Sequence, residues 1–409
     1  MIKFTTLLFF TILAIITRQG PVRLASPIHT TTNKKEISTG ADQTENYLPY
    51  LRGKRIGLVA NQSSRIGQKS SVDSLVSLGI KIVKVFGPEH GFRGNASNGA
   101  AVGNENDAKT GVPIISLYGK NEKPTPEQLA DIDLMVFDIQ DVGCRYYTNI
   151  NTLEYVMEAC SENNKELLIL DRPNPNAYVV DGPVMTDDKF KSAIGIHHTP
   201  MTHGMTIGEF ARYLNGEGYL EKPCNIRIIK VANYGHAMAY VLPTPPSPNL
   251  NSQQAVLLFP SLCMFEGTAI NEGRGTYRPF TMLGAPALKG KYSFSYKPVS
   301  IAGMSERPTH RDSICYGLDL GKYDINQLRK SRQINLSWVI ELYRAYPDKG
   351  NFFTPGRTND VSAFDLRIGT DQLRKQLIAG VSEADIRKSW EPGLQTFKAI
   401  RAKYLLYPD

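Results

Sequence analysis

A carboxylate and an imidazole stand side by side at Glu89-His90, inside Val85-Phe86-Gly87-Pro88-Glu89-His90-Gly91-Phe92-Arg93-Gly94. The apolar run Ile80–Phe86 before them reads as a buried strand. Proline removes a ladder donor and restricts the residue before it, so that strand must end at Gly87-Pro88. The pair is therefore set at a strand tip, where open α/β sheets keep their ligand sites. The chemistry it suits is proton transfer. Burial between Phe86 and Phe92 would raise the Glu89 pKa toward a working value, with His90 orienting it or carrying a proton.

Cleaving a glycosidic bond needs an acid for the leaving oxygen and a group that stabilises or captures the positive sugar. Candidates for the second group lie together in Asp138-Ile139-Gln140-Asp141-Val142-Gly143-Cys144-Arg145-Tyr146-Tyr147: Asp138, Asp141, Tyr146 and Tyr147. A tyrosine ring can stack on a pyranose while its hydroxyl hydrogen-bonds, and the same rings can equally be core. Arg93, Arg145, Arg172 and Arg274 all sit in loops containing glycine or proline. Each could clamp a carboxylate bidentately or close a salt bridge to a neighbouring acid. The stretch Phe265–Thr276 packs Glu266, Glu272 and Arg274 among glycines, which is loop chemistry and a site candidate.

Parallel strands would bring these groups together. Short apolar runs at Arg55–Ala60, Ile80–Phe86, Val112–Leu117, Leu134–Ile139 and Glu166–Asp171 alternate with helix-like spacing at Ser71–Leu78, Thr125–Ala130 and Asn151–Cys160. That alternation predicts an α/β fold with a parallel sheet covered on both faces. Polar residues collect at one end of the strands: Asn61, then Glu89 and His90, then Asp138 and Asp141, then Asp171, Arg172 and Asn174. Thr206 and Glu209 form a capping box that opens a helix, with His203 just outside its N-terminus, where the dipole favours anions. Asn225–Val231 is a further strand, and Pro243–Asn249 is a stiff turn and candidate domain border. Beyond it, helices are predicted at Ser337–Tyr346, Thr370–Gly380 and Trp390–Tyr404.

The 409 residues suffice for two domains. A basic start, an apolar core over Phe4–Thr17 and the small residues Leu24-Ala25-Ser26 predict a signal peptide over residues 1–25, too short for a comfortable membrane span. The mature chain is thus expected outside the cytoplasm, with no stable membrane insertion after cleavage. The polar residues 26–46 read as a linker or disordered arm. The formal net charge of +8 loses Lys3, Arg18 and Arg23 with the signal, which leaves a mild excess suited to an acidic small molecule or glycan and not to nucleic acid. Five cysteines form no CxxC pair, and Cys144 and Cys160 sit in apolar surroundings as buried thiols. No G-x-G-x-x-G, P-loop or G-x-S-x-G occurs, so no nucleotide cofactor is expected. His197, His198 and His203 lack an H-E-x-x-H, so no metal is expected, although a metal hydrolase built on them with Asp138 is a rival reading. A non-catalytic exported glycan or solute binder is another.

Six ordered motifs carry a resemblance: Gly57–Ser63, Phe86–Gly94, Asp138–Tyr147, Leu170–Pro175, His203–Glu209 and Phe265–Thr276. Over roughly residues 47 to 409 the chain resembles the NamZ family of bacterial exo-β-N-acetylmuramidases. The resemblance implies a Rossmann-like larger domain, here 47–258, and a smaller α+β C-terminal domain, 259–409, with the site in the cleft between them. It implies release of terminal N-acetylmuramic acid from the non-reducing ends of peptidoglycan fragments, hence a periplasmic or secreted bacterial enzyme. The family's motif glutamate matches Glu89 and its neighbouring histidine His90. Its Pro-Met-Arg-His-Gly motif has arginine where this chain has Thr202, and its tryptophan before Pro-Pro-Ser-Pro-Asn falls in Pro243-Thr244-Pro245 here.

Overall fold

A computed structural model describes residues 1, 36–88, 92–93, 105–119, 121–356 and 361–409, of which Ile37–Asp409 form one compact unit. The expected signal peptide and the Glu89-His90 pair lie outside the described residues. The apolar runs become strands: β1 (Ile56–Ala60), β4 (Ile82–Gly87), β6 (Pro113–Ser116), β7 (Leu134–Asp138), β8 (Glu166–Leu170) and β9 (Ile226–Ile229). β2 (Arg65–Ile66) and β3 (Lys69–Ser70) make a small hairpin, and β5 (Glu105–Asn106) pairs antiparallel with β6 at the sheet edge. The sheet order is β5-β6-β4-β1-β7-β8-β9, with the six strands from β6 to β9 parallel. Numbered along the chain, those six run 3-2-1-4-5-6, the Rossmann order, which reverses direction at β1 and β7.

Side chains alternate across this sheet. Val59, Phe137 and Ile169 share one core with α4 (Asn149–Glu162) and α5 (Ile207–Gly216). Leu58, Val136 and Leu168 point the other way, onto α1 (Leu48–Leu51) and α2 (Ser71–Ser77). Burial on both faces is why the strands read as unbroken apolar runs. The expected capping box of Thr206 with Glu209 opens α5, and a second one, Thr125 with Gln128, opens α3 (Pro126–Leu129).

The second half holds a three-stranded antiparallel sheet, β10 (Met282–Ala285), β12 (Cys315–Asp319) and β11 (Phe294–Tyr296) in that order. Around it lie α6 (Gln253–Leu262), α7 (Asn326–Ser331), α8 (Ser337–Ala345), α9 (Ala363–Ile368) and α10 (Gln372–Ile378). The final helix, α11 (Glu383–Ala402), starts earlier than the expected Trp390, because Ser382 caps it by accepting the Asp385 N–H. Its Ile386, Trp390 and Leu394 join the core of the second half, while Phe397 joins that of the parallel sheet.

Two boundaries need correction. Residues 37–46 are not a linker. Ser38 pairs with Ala232 in both directions (3.1 and 2.8 Å), the Gly40 N–H donates to the Asp171 carbonyl at 2.7 Å, and Thr39 and Ala41 are buried. The border at 258/259 falls inside α6, whose apolar residues pack with Val142, Cys144 and Tyr146 from the loop after β7. All five cysteines are buried free thiols.

Candidate active site

A cavity of about 990 Å³ opens where the parallel sheet meets the second half. From the sheet side it is lined by Asn61 after β1, Leu117–Gly119 after β6 and Tyr146–Asn149 after β7. The first turns of α4 add Asn151, Thr152 and Tyr155. Opposite them stand Phe259, Cys263, Glu266, Arg274, Phe280, Thr354, Leu366 and Arg367. This is the carboxyl edge of the sheet beside its point of reversal, where α/β proteins bind ligands. β4 ends at Gly87 between β1 and β6, and the residues after both of those neighbours line the cavity.

The rim is built by local hydrogen bonds. Asn61 closes an Asx turn, its Oδ1 accepting from the Ser63 N–H (2.9 Å) and hydroxyl (2.5 Å). The Pro246 carbonyl accepts from Gln62 Nε2 (2.6 Å) and the Tyr147 hydroxyl (3.0 Å), which pins the proline-rich turn to the sheet side. Tyr146 and Tyr147 both meet the Phe259 ring edge-on, at 5.5 and 5.9 Å. The loop carrying them turns at Gly143, whose φ of 80° suits only glycine and where a β-carbon would strike the Asn174 side chain.

On the far wall, four charged side chains form one cluster. Glu266 Oε1 accepts from Arg274 Nε (2.8 Å) and lies 2.7 Å from Arg274 Nη2, and its Oε2 accepts from Arg367 Nη2 at 2.9 Å. Glu272 Oε1 is 3.2 Å from Arg274 Nε. Burial opposes charge on Glu266, but the two guanidiniums outweigh it and hold the carboxyl down to about 2. Burial, with the Glu266 charge beside it, pushes Glu272 up to about 7. Arg274 also stacks over Phe280, 5.1 Å from the ring centroid.

Thus Asn61, Tyr146, Tyr147, Glu266 and Arg274 of the expected site residues share the cavity wall, with Glu272 directly behind. Tyr146 is not set up as a base: its hydroxyl donates to the Pro260 carbonyl, and burial raises its pKa well above the ordinary value. Asp138 and Arg172, expected at the site, form a fully buried pair beneath it, Nε to Oδ1 at 2.7 Å. Arg145 is a buried strut that donates to the carbonyls of Thr199 and Arg367 (2.9 Å for the latter). Arg93 holds Asp107 bidentately (3.0 and 2.7 Å) and reaches Asp73. Asn174 spans the Met205 carbonyl and the Asn176 N–H. Asp171 caps α5 by accepting from Gly208 N–H at 2.9 Å.

His203 is buried, and desolvation, with lesser effects of His197 and Arg401, lowers its pKa to about 3. It therefore offers no cation to an anion. The three histidines do not converge. His197 faces Glu154, His198 faces Asp188 (2.7 Å), and His203 lies 3.8 Å from Asp141. Among the described residues no group of three or more His, Cys, Asp or Glu could hold a metal ion.

Arg367, Tyr118, Glu122 and Tyr155 line the cavity without having been singled out in the sequence. For α4 a signal existed: Asn149, Asn151 and Thr152 are uncharged polar residues on an otherwise buried first turn. For Arg367 none existed, since its partner Glu266 lies 101 residues away.

The family model described as "Exo-beta-N-acetylmuramidase NamZ, N-terminal" matches residues 56–254, and its C-terminal counterpart matches residues 257–407. Peptidoglycan β-N-acetylmuramidase NamZ of Bacillus subtilis (strain 168) is 38% identical over 394 residues, 92% of this chain and 93% of that protein. Crystal structures of two DUF1343 family proteins from Bacteroides fragilis NCTC 9343 superpose closely. One is 39% identical with a TM-score of 0.82, covering 92% of this chain and all of that one. The other is 31% identical with a TM-score of 0.75, covering 91% of this chain and 99% of that one. A Rossmann-like sheet joined to a smaller second half across a polar cleft, with these matches, defines a glycosidase. The chain belongs to the NamZ family of exo-β-N-acetylmuramidases.

Two outcomes follow from the buried charges. Arg172→Met leaves the Asp138 carboxylate buried and unpaired, so unfolding free energy should drop by about 3–5 kcal/mol in denaturant titration, and Asp138→Leu in addition should recover part of that loss. Burial pushes Asp141 up from 3.8 to about 7, so the folded state holds a proton that the unfolded chain releases. That stabilisation is full below pH 3.8 and is lost as pH rises to about 7. Over that window wild-type stability should decline relative to Asp141→Asn, by at most about 1.4 kcal/mol per pH unit in paired melts.

Proposed function

We propose that this chain is an exo-acting hydrolase that releases N-acetylmuramic acid from the non-reducing ends of peptidoglycan fragments, with Glu89 as general acid. The observation that carries the reading is the cavity at the sheet's carboxyl edge, flanked on both sides of β4 and faced by an arginine-rich wall. Support also comes from the Bacillus subtilis relative, whose name states action on peptidoglycan. Glu89 follows the end of β4 by two residues in the sequence, and the residues after both of that strand's neighbours, Asn61 and Leu117, line the wall. As general acid Glu89 would protonate the leaving glycosidic oxygen as positive charge grows on the muramic acid ring. Tyr147 offers that ring a stacking face beside Phe259.

Glu89→Gln keeps the shape and removes the proton. With a MurNAc-β-1,4-GlcNAc disaccharide, kcat should fall about 10²- to 10⁴-fold while the melting temperature is kept. A folded Glu89→Gln protein with full turnover would refute the assignment. Tight sugar binding by the wild type without release of free sugar would favour a binding protein.

Export through the N-terminal segment is part of the same proposal. Expressed in full in a bacterium, the protein should be recovered from outside the cytoplasm with an intact mass lacking about the first 25 residues. A full-length mass in the cytosol would oppose it.

A further inference from the structure

The arginine-rich wall of the cavity has an unused donor. Arg274 spends Nε and Nη2 on Glu266 Oε1, but its Nη1 is buried and has no hydrogen-bond partner among the described residues. An arginine N–H left unpaired in a buried place costs free energy, and a ligand acceptor would remove that cost. The charges point the same way. Arg274 and Arg367 share one carboxylate, Glu266, which sits between them and takes each on a different oxygen. The second acid, Glu272, has its carboxyl beside Arg274, and burial with the Glu266 charge pushes it up to about 7. Both guanidiniums line the cavity, and of the two acids paired with them only Glu266 does.

Its rigidity favours selective recognition of one group. Arg274 lies over the Phe280 ring, and the Asn271 amide fixes its main chain by donating to its carbonyl at 3.1 Å. Arg367 is held at both ends: its Nη1 donates to the Ala363 carbonyl (3.0 Å) and its own carbonyl accepts from Arg145 (2.9 Å). A guanidinium pre-placed in this way pays little ordering entropy when an anion arrives.

We propose that Arg274, with Arg367 beside it, reads the lactyl carboxylate of the muramic acid ring and so distinguishes it from an uncharged N-acetylhexosamine. This rests on the muramidase reading above for the identity of the sugar. The carboxylate takes Arg274 Nη1 as its first donor, and Glu266 keeps both arginines aimed. Glu272, by holding its proton when the ligand arrives, spares the anion a second negative neighbour. Arg274 and Arg367 are specificity residues in this proposal.

The test pairs the substrate's charge with the protein's. An aryl β-N-acetylmuramide and its lactyl methyl ester are compared on wild type, Arg274→Gln, Arg274→Lys and Arg367→Gln. Loss of a charge-assisted contact predicts that esterification lowers wild-type kcat/KM about 10- to 100-fold, and that this ratio shrinks to within about threefold in Arg274→Gln. Arg274→Lys keeps the charge without the fork and should fall between. A structural role alone would lower both substrates together and leave the ratio unchanged. Melting curves screen out variants that do not fold, and the wild-type ratio decides even if all of them fail: a wild type indifferent to the ester overturns the proposal. Calorimetric binding of free N-acetylmuramic acid against its methyl ester separates the two readings. Ester-sensitive binding without hydrolysis refutes the muramidase and keeps the clamp, while hydrolysis indifferent to the ester does the reverse.

Discussion

Arg145 is a charged side chain buried almost completely, held by main-chain carbonyls. Burial lowers its pKa to about 10, which still leaves it charged at neutral pH. An isolated buried cation is expensive, so the carbonyls that solvate it cannot drift away. One belongs to Thr199 of the first half and the other to Arg367 of the second. The chain makes room for the contact at Gly369, where φ is 79° and a β-carbon would come 2.6 Å from Arg145 Nη2. Through this one group the loop after β7 fixes the end of α9, and α9 in turn presents Arg367 to Glu266. The position of the charged wall is inherited from a strut that never reaches the cavity.

Much of the first half was legible because its signals are local. An unbroken apolar run of five residues is a strand buried on both faces, and Thr206-x-x-Glu209 is a helix start wherever it occurs. Strand order is a matter of distant pairing, and no single segment records that β1 lies between β4 and β7. The site was legible only in part, and the four arginines show why. All occupy similar loops, yet Arg93 meets Asp107, Arg172 meets Asp138, Arg145 meets carbonyls and Arg274 alone lines the cavity. What separates them is the partner, brought from up to 222 residues away.

The acids after the strands repeat the lesson. Asp138, Asp141 and Asp171 do gather at one edge of the sheet, as parallel strands require, but they lie one layer below the surface that meets a ligand. Asp141 Oδ2 accepts the Gly143 N–H at 2.6 Å and sets the turn that lifts Tyr146 and Tyr147 to the wall. Asp171 takes the Thr206 hydroxyl (2.8 Å) and the Tyr407 hydroxyl (2.5 Å), tying the start of α5 to the tail of the chain. They make the loops, and the loops make the site.

The last helix has a mechanical consequence. α11 is 20 residues long, about 30 Å of rod, with Ile386, Trp390 and Leu394 seated in one core and Phe397 in the other. The chain therefore crosses between the two sides of the cleft twice, once at the proline-rich turn and α6 and again along α11. A single crossing leaves a joint free to twist and bend, whereas two crossings define an axle. The proline at 392 falls inside the first seat, between Trp390 and Leu394, so the backbone hydrogen bond it cannot make is lost where packing already holds the rod.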